Sequence, residues 1–150
     1  MIVNLFPASW PKRKSVVFLS FIAIFICYID RVNISVAIIP MAGDLDWNLR
    51  TQGFVLSSFF IGYLLLQVVG GSLADRFGGK LVLGVGVLLW SLFTILTPPA
   101  ASLGLAVLIA ARVLMGMSEA VTGPSIYSLY AKWLPLKNRA SSIGFTNSGI

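Results

Sequence analysis

Residues 52–80 read QGFVLSSFFIGYLLLQVVGGSLADRFGGK, an apolar run followed by a short charged segment. The run from Gln52 to Ala74 contains no Asp, Glu, Lys or Arg. An α-helix rises 1.5 Å per residue, so about 20 apolar residues cross the roughly 30 Å of hydrocarbon in a bilayer. This stretch therefore predicts a transmembrane helix that ends in a polar connection.

Comparable apolar runs lie on both sides of this segment. Backbone groups in lipid must be hydrogen-bonded internally, which leaves helices or closed barrels. The runs are long and lack the ten-residue alternation of barrel strands, so they favour helices. We predict an all-α integral membrane protein whose spans cover about 16–40, 52–74, 81–100 and 103–133, with an incomplete fifth span at 140–150.

The composition excludes several functional classes. Hydrophobic residues make up 57% of the chain and charged residues 11%, against about 25% charged in soluble proteins. There is no His and one Cys, so we predict no metal site and no enzyme activity. The net charge is +6, but the cations lie between apolar runs rather than on one face. We therefore expect the lipid bilayer, and no nucleic acid, as the surroundings of the chain.

The cations also predict the orientation. They concentrate in the N-terminal segment 12–14, in the second connection at 76–80 and in the fourth connection at 132–139. The positive-inside rule places such segments on the cytoplasmic side. We predict a multi-pass protein of the cell membrane, inner or plasma, with a cytoplasmic N-terminus.

Four charged residues lie inside predicted spans: Asp30 and Arg31 in the first, Arg112 and Glu119 in the fourth. A charge near the bilayer centre costs about 2.5–3.5 kcal/mol, so each calls for a function. Helix rise places Arg31 and Arg112 at similar depths, and Glu119 about 10 Å nearer the cytoplasm. We predict a cavity in which the arginines hold an anionic substrate and the carboxylates take up a proton.

Structural alternatives remain open for these residues. The four charges also suit buried salt bridges that join spans 1 and 4, although such pairs stabilise weakly. Gly116 follows Arg112 at four-residue spacing, which suits either a bendable helix or close helix packing. Tyr28 and Tyr63 have phenols that need partners in lipid, and they suit either the cavity lining or ordinary packing.

The segment GGSLADRFGGK at residues 70–80 resembles the G-x-L-x-D-R-x-G-x-K loop between helices 2 and 3 of the major facilitator superfamily. A tight turn with basic membrane anchors is the simpler interpretation, but it leaves the lone carboxylate unexplained. In the family this loop latches one conformation against the other half of the molecule. The resemblance assigns that role to Gly71, Asp75, Arg76, Gly78 and Lys80.

Three further segments narrow the resemblance: YIDRVNISVAI at 28–38, SSFFIGYLLLQ at 57–67 and ARVLMGMSEA at 111–120. They resemble the anion:cation symporter branch, which is related to solute carrier family 17. The lack of His departs from members that have a histidine in span 2. The resemblance implies that Arg31 and Arg112 bind the substrate and that Glu119 couples transport to a proton, with Asp30 as the second coupling candidate. Tyr28, Tyr63 and Asn33 are further substrate-binding candidates.

The resemblance also implies the architecture and the function. It predicts the first four helices and the start of the fifth in a twelve-helix transporter, with 1–150 as part of the N-terminal six-helix half. The expected partners are a small anionic substrate and the missing C-terminal half. The expected function is symport of a small organic or inorganic anion with H⁺ or Na⁺, and no other cofactor. The alternatives are a non-transporting truncated remnant and a major facilitator carrier for sugars or drugs.

Overall fold

A computed structural model describes residues 12–148, which form helices joined by short connections, without strands in that range. The all-α prediction is confirmed. The predicted incomplete span 140–150 is described only as far as residue 148, and residues 1–11 lie outside the described part. The helices are α1 (Lys12–Asp44), α2 (Leu49–Phe77), α3 (Gly79–Leu103), α4 (Leu105–Ala120), α5 (Thr122–Trp133) and α6 (Leu136–Asn147).

Four helical segments of the described chain are long and apolar enough to cross a membrane: Lys12–Asp44, Leu49–Phe77, Gly79–Leu103 and Leu105–Trp133. Each corresponds to one predicted complete span and runs a few residues beyond it at most ends. The fourth begins at Leu105 rather than at residue 103. The reason is Gly104, whose φ of 126° ends α3 and separates it from α4.

The fourth segment is the centre of the fold. In the apolar 18-residue stretch of this segment, 56% of the residues are buried inside the protein. The corresponding stretches of the other three segments are 11–28% buried. It is also interrupted, because α4 ends at Ala120 and α5 begins at Thr122. Pro124 has no N–H to donate to the carbonyl of Ala120, which explains the interruption. The fourth span therefore lacks one backbone hydrogen bond at this point.

Helices α2 and α4 touch through their backbones. A methyl group added at Gly116 would overlap the carbonyl oxygen of Phe59, and one added at Gly62 would overlap the carbonyl oxygen of Val113. Small residues permit this approach because they place no side chain between the helices. Of the two interpretations of Gly116, close packing is the one that the structure supports.

The predicted loop at residues 70–80 is mostly helical. α2 continues to Phe77, and Gly78, with φ 89°, alone separates it from α3. Glycine adopts this conformation without strain, so the chain reverses within one residue. Asp75 and Arg76 lie exposed on the last turn of α2, and the Arg76 guanidinium lies 5.5 Å from the centre of the Phe77 ring.

We expect Gly116→Ala to lower the free energy of unfolding by about 1–3 kcal/mol, because the new methyl group forces α2 and α4 apart. Gly84→Ala is the matched control, since a methyl group there meets no atom within 4 Å. It should leave stability unchanged or raise it slightly through helix propensity. Thermal unfolding of detergent-purified protein measures both, and equal midpoints would contradict the contact.

Candidate functional site

The charged residues of α1 and α4 meet inside the membrane-spanning part of the fold. Arg31 Nε donates to Glu119 Oε2 at 3.0 Å, which joins the first and fourth spans. The Glu119 side chain is fully buried, whereas 23% of the Arg31 side chain is exposed. Helices α1 and α4 therefore share one buried ion pair, with its cationic partner nearer the open side.

Cys27 belongs to the same group. Its Sγ–H donates to Glu119 Oε2 at 2.9 Å, and Arg31 Nη2 lies 3.5 Å from the same sulfur. Sequence reasoning assigned Cys27 no functional part. The available signal was its spacing, because Cys27 and Arg31 are four residues apart and therefore neighbours on one helix face.

The predicted separation of Glu119 from Arg31 is wrong. The Glu119 carboxylate lies against the Arg31 guanidinium rather than about 10 Å beyond it. Helical rise places the Cα atoms, whereas a helical side chain leans toward the N-terminus of its helix. Arg31 follows this rule, since its guanidinium reaches back to the level of Cys27.

Arg112 is the least accessible cation of the group, with 3% of its surface exposed. Its Nη1 donates to Met115 Sδ at 3.4 Å, and its Nε has no hydrogen-bond partner among the described residues. The second carboxylate oxygen of Glu119, Oε1, is likewise buried and unpartnered within residues 12–148. A cationic donor and an anionic acceptor thus remain open in the same group.

Asp30 lies at the edge of the group. Its side chain is half-buried, and its charge interacts with that of Arg112 without forming an ion pair. The salt-bridge alternative therefore applies to Arg31 and Glu119 but not to Asp30 and Arg112. In the part of the chain that the structure describes, the Arg31–Glu119 pair is the one ion pair.

Aromatic rings surround the Arg31 guanidinium. Its Cζ lies 4.8 Å from the centre of the Tyr63 ring, 5.5 Å from that of Tyr28 and 5.2 Å from that of Phe59. The structure therefore brings both predicted tyrosines to the site. Phe59 was missed by sequence reasoning, although its position four residues before Tyr63 places both on one face of α2.

Other predicted residues lie apart from this group. Asn33 is exposed and lies roughly on the opposite side of α1 from Arg31. Its part in substrate binding stays a prediction. The predicted latch residues lie along the last two turns of α2 and at the start of α3: Gly71, Asp75, Arg76, Gly78 and Lys80.

The arrangement is suited to holding an oxyanion. A guanidinium buried in a low-dielectric interior interacts strongly with any anion that reaches it. Its unpartnered N–H also lacks the hydrogen bond that buried polar groups normally make. Within residues 12–148 no three His, Cys, Asp or Glu residues cluster as metal ligands would. An anion would supply the hydrogen-bond acceptor that Arg112 Nε lacks among the described residues.

Comparison with known proteins identifies the family of the chain. The model of the Major Facilitator Superfamily matches residues 20–150. Similar proteins include "Probable anion transporter 4, chloroplastic" of Oryza sativa subsp. japonica, 48% identical over 95% of this chain and 24% of that protein. In Arabidopsis thaliana, "Sodium-dependent phosphate transport protein 1, chloroplastic" is 48% identical and "Ascorbate transporter, chloroplastic" is 46% identical, each over 95% of this chain and 28% and 26% of their own lengths.

The chain spans about a quarter of the length of these relatives. The match nevertheless covers nearly all of its described helices, including every residue of the charged group. The family resemblance carried by the segments at 28–38, 57–67, 70–80 and 111–120 is thereby confirmed. With four apolar helices that can span a bilayer, this multi-pass membrane protein belongs to the Major Facilitator Superfamily.

Proposed function

We propose that the chain is part of a secondary active transporter that moves a small organic or inorganic anion together with H⁺ or Na⁺. The observation that carries the proposal is the state of Arg112, which is buried in a membrane-spanning helix and whose Nε has no partner within residues 12–148. An unsatisfied buried donor is costly, more so when it is charged. A carboxylate or phosphate oxygen would supply the missing acceptor.

The names of the relatives support an anionic substrate. They describe an anion transporter, a sodium-dependent phosphate transporter and an ascorbate transporter. Carboxylate and phosphate groups both offer oxygens that an arginine fork binds through two parallel hydrogen bonds. We therefore assign Arg112 and Arg31 to the substrate, with Tyr28 and Tyr63 beside them.

The Arg31–Glu119 pair provides a means of coupling. Arg31 cannot give its full charge to a substrate while Glu119 holds it at 3.0 Å. A proton on Glu119 would cancel the carboxylate charge and release Arg31 to the anion. Na⁺ bound at the free oxygen of Glu119 would act in the same direction, and Asp30 is the second candidate for this role.

Transport also needs a second half of the molecule. Carriers of this type place the substrate near the bilayer midplane between two repeats that rock against each other. We propose that a C-terminal half completes the site in the whole protein. Asp75 and Arg76 are exposed at the end of α2 and suit the proposed latch against that half.

The location of the protein is also a proposal. The cations at 12–14, 76–80 and 132–139 support a cytoplasmic N-terminus in a cell membrane. The names of the relatives contain the word chloroplastic, which supports a plastid membrane as the alternative. A fluorescent fusion of the full-length protein, viewed beside markers of both membranes in its native cell, distinguishes the two.

Arg112→Lys in the full-length protein should weaken anion affinity by about tenfold or more, because lysine replaces a two-bond fork with a point charge. Uptake of radiolabelled phosphate and ascorbate into proteoliposomes measures KM. Arg50→Lys, at an exposed position outside the charged group, is the matched control. Equal KM values in the two variants would return Arg112 to a structural role.

Glu119→Gln should separate exchange from accumulation. The glutamine oxygen still accepts from Arg31 and Cys27, but it carries no charge, so the carrier should behave as if permanently neutralised. Exchange of internal for external anion should persist, while accumulation driven by a pH gradient or an Na⁺ gradient should disappear.

Asp30→Asn is the comparison variant for Glu119→Gln, since Asp30 is the second coupling candidate and makes no ion pair among the described residues. Gradient-driven accumulation retained in Glu119→Gln and lost in Asp30→Asn would move the coupling role to Asp30. Loss of folded protein in Glu119→Gln would favour a purely structural pair, since breaking a buried ion pair destabilises by about 3–5 kcal/mol.

A further inference from the structure

One aromatic ring lies against both arginines of the site. The centre of the Phe59 ring is 5.2 Å from Arg31 Cζ and 5.4 Å from Arg112 Cζ. Within the described chain, Phe59 is the ring that two guanidinium groups share. The ring comes from α2, whereas the arginines come from α1 and α4. Phe59 therefore links the three helices that form the site.

The position of Phe59 is tightly constrained. It is 2% exposed and packs in one buried cluster with Trp90 of α3 and Met115 of α4. The Tyr63 ring stacks beside it, with centres 6.0 Å apart and planes inclined by 26°. Its own carbonyl oxygen lies against Gly116, so the backbone at this point is held as well. The ring consequently has little freedom to shift when a substrate arrives.

The electrostatic problem at the site is two like charges in a medium of low dielectric. Glu119 neutralises Arg31, but no carboxylate pairs with Arg112 among the described residues. The face of an aromatic ring carries negative charge density and attracts cations within about 6 Å of its centre. Phe59 meets this distance for both arginines, and it offers them no hydrogen bond that an anion would have to displace.

We propose that Phe59 is a positioning residue that fixes the spacing between Arg31 and Arg112, so that one anion can engage both. The inference rests on the proposed transport of anions. Guanidinium groups held in place before binding lose less conformational freedom when the anion arrives, which raises affinity. A fixed spacing also discriminates among anions by size, so removal of the ring weakens selectivity between phosphate and ascorbate.

Phe59→Leu in the full-length protein tests the proposal, because leucine retains an apolar side chain but has no ring. We expect KM for phosphate or ascorbate uptake into proteoliposomes to rise about tenfold, with little change in kcat. Phe54→Leu is the matched control, since Phe54 lies on the same helix, is 54% exposed and has no ring contact with Phe59 or either arginine. An unchanged KM in folded Phe59→Leu protein would overturn the proposal.

Fluorinated phenylalanines at position 59 separate electrostatics from packing. Successive fluorine atoms withdraw charge from the ring face with little change in ring size. KM should rise step by step with the number of fluorine atoms at position 59 and stay constant at position 54. A flat series at position 59 would show that the ring acts only by filling space.

A second readout does not depend on transport. Phenylglyoxal modifies accessible guanidinium groups, and mass spectrometry reports how far Arg31 and Arg112 have reacted. Both arginines should react faster in the fluorinated variants at position 59, where the ring attracts them less. They should also react faster in the leucine variant, where the ring is missing. Unchanged rates would overturn the proposal for Phe59. Absence of anion uptake by the unmodified transporter would overturn the proposed function alone.

Discussion

The backbones of α2 and α4 touch at Gly62 and Gly116, and the arrangement of the site depends on this contact. It brings the Phe59 segment of α2 against the helix that carries Arg112 and Glu119. A side chain at either glycine would separate the helices and withdraw the ring from both arginines. Close packing in the membrane is driven by van der Waals contact rather than by hydrophobic burial. Small residues at two positions thus determine the geometry of charges that lie one helical turn away.

The four intramembrane charges are not equivalent once this packing is in place. Glu119 holds Arg31 together with the Cys27 thiol, whereas Arg112 donates to a sulfur atom, lies against an aromatic ring and forms no ion pair among the described residues. An ion pair formed solely for stability would leave no cation open, because an unpaired buried charge costs free energy. Within residues 12–148 Arg112 is such an unpaired buried charge, and a bound anion would offset its free-energy cost. The proposed anion-binding site rests on this asymmetry in pairing.

Several features of this site could be predicted from the sequence, and others could not. The spans followed from hydropathy, and the four charges from the free-energy cost of a charge in lipid. The two tyrosines followed from the need of a phenol for a partner there. The contact between Glu119 and Arg31 could not, since helical rise locates Cα atoms and says nothing about how far an arginine reaches back along its helix. Phe59 and Cys27 were missed because an apolar ring and a lone thiol are ordinary inside a membrane helix. Only their neighbours make them notable.

The sequence by itself determined that the protein lies in a lipid bilayer. It also determined the number and positions of its apolar helices and which charged residues lie within them. These properties depend on composition and on periodicity along one chain, and both can be read residue by residue. The tertiary structure alone decided that Glu119 pairs with Arg31 and that Arg112 stays open. It also decided that the Phe59 ring lies against both Arg31 and Arg112. Pairing depends on the rotation of each helix about its axis and on the gap between helices, and contacts far apart in sequence set both.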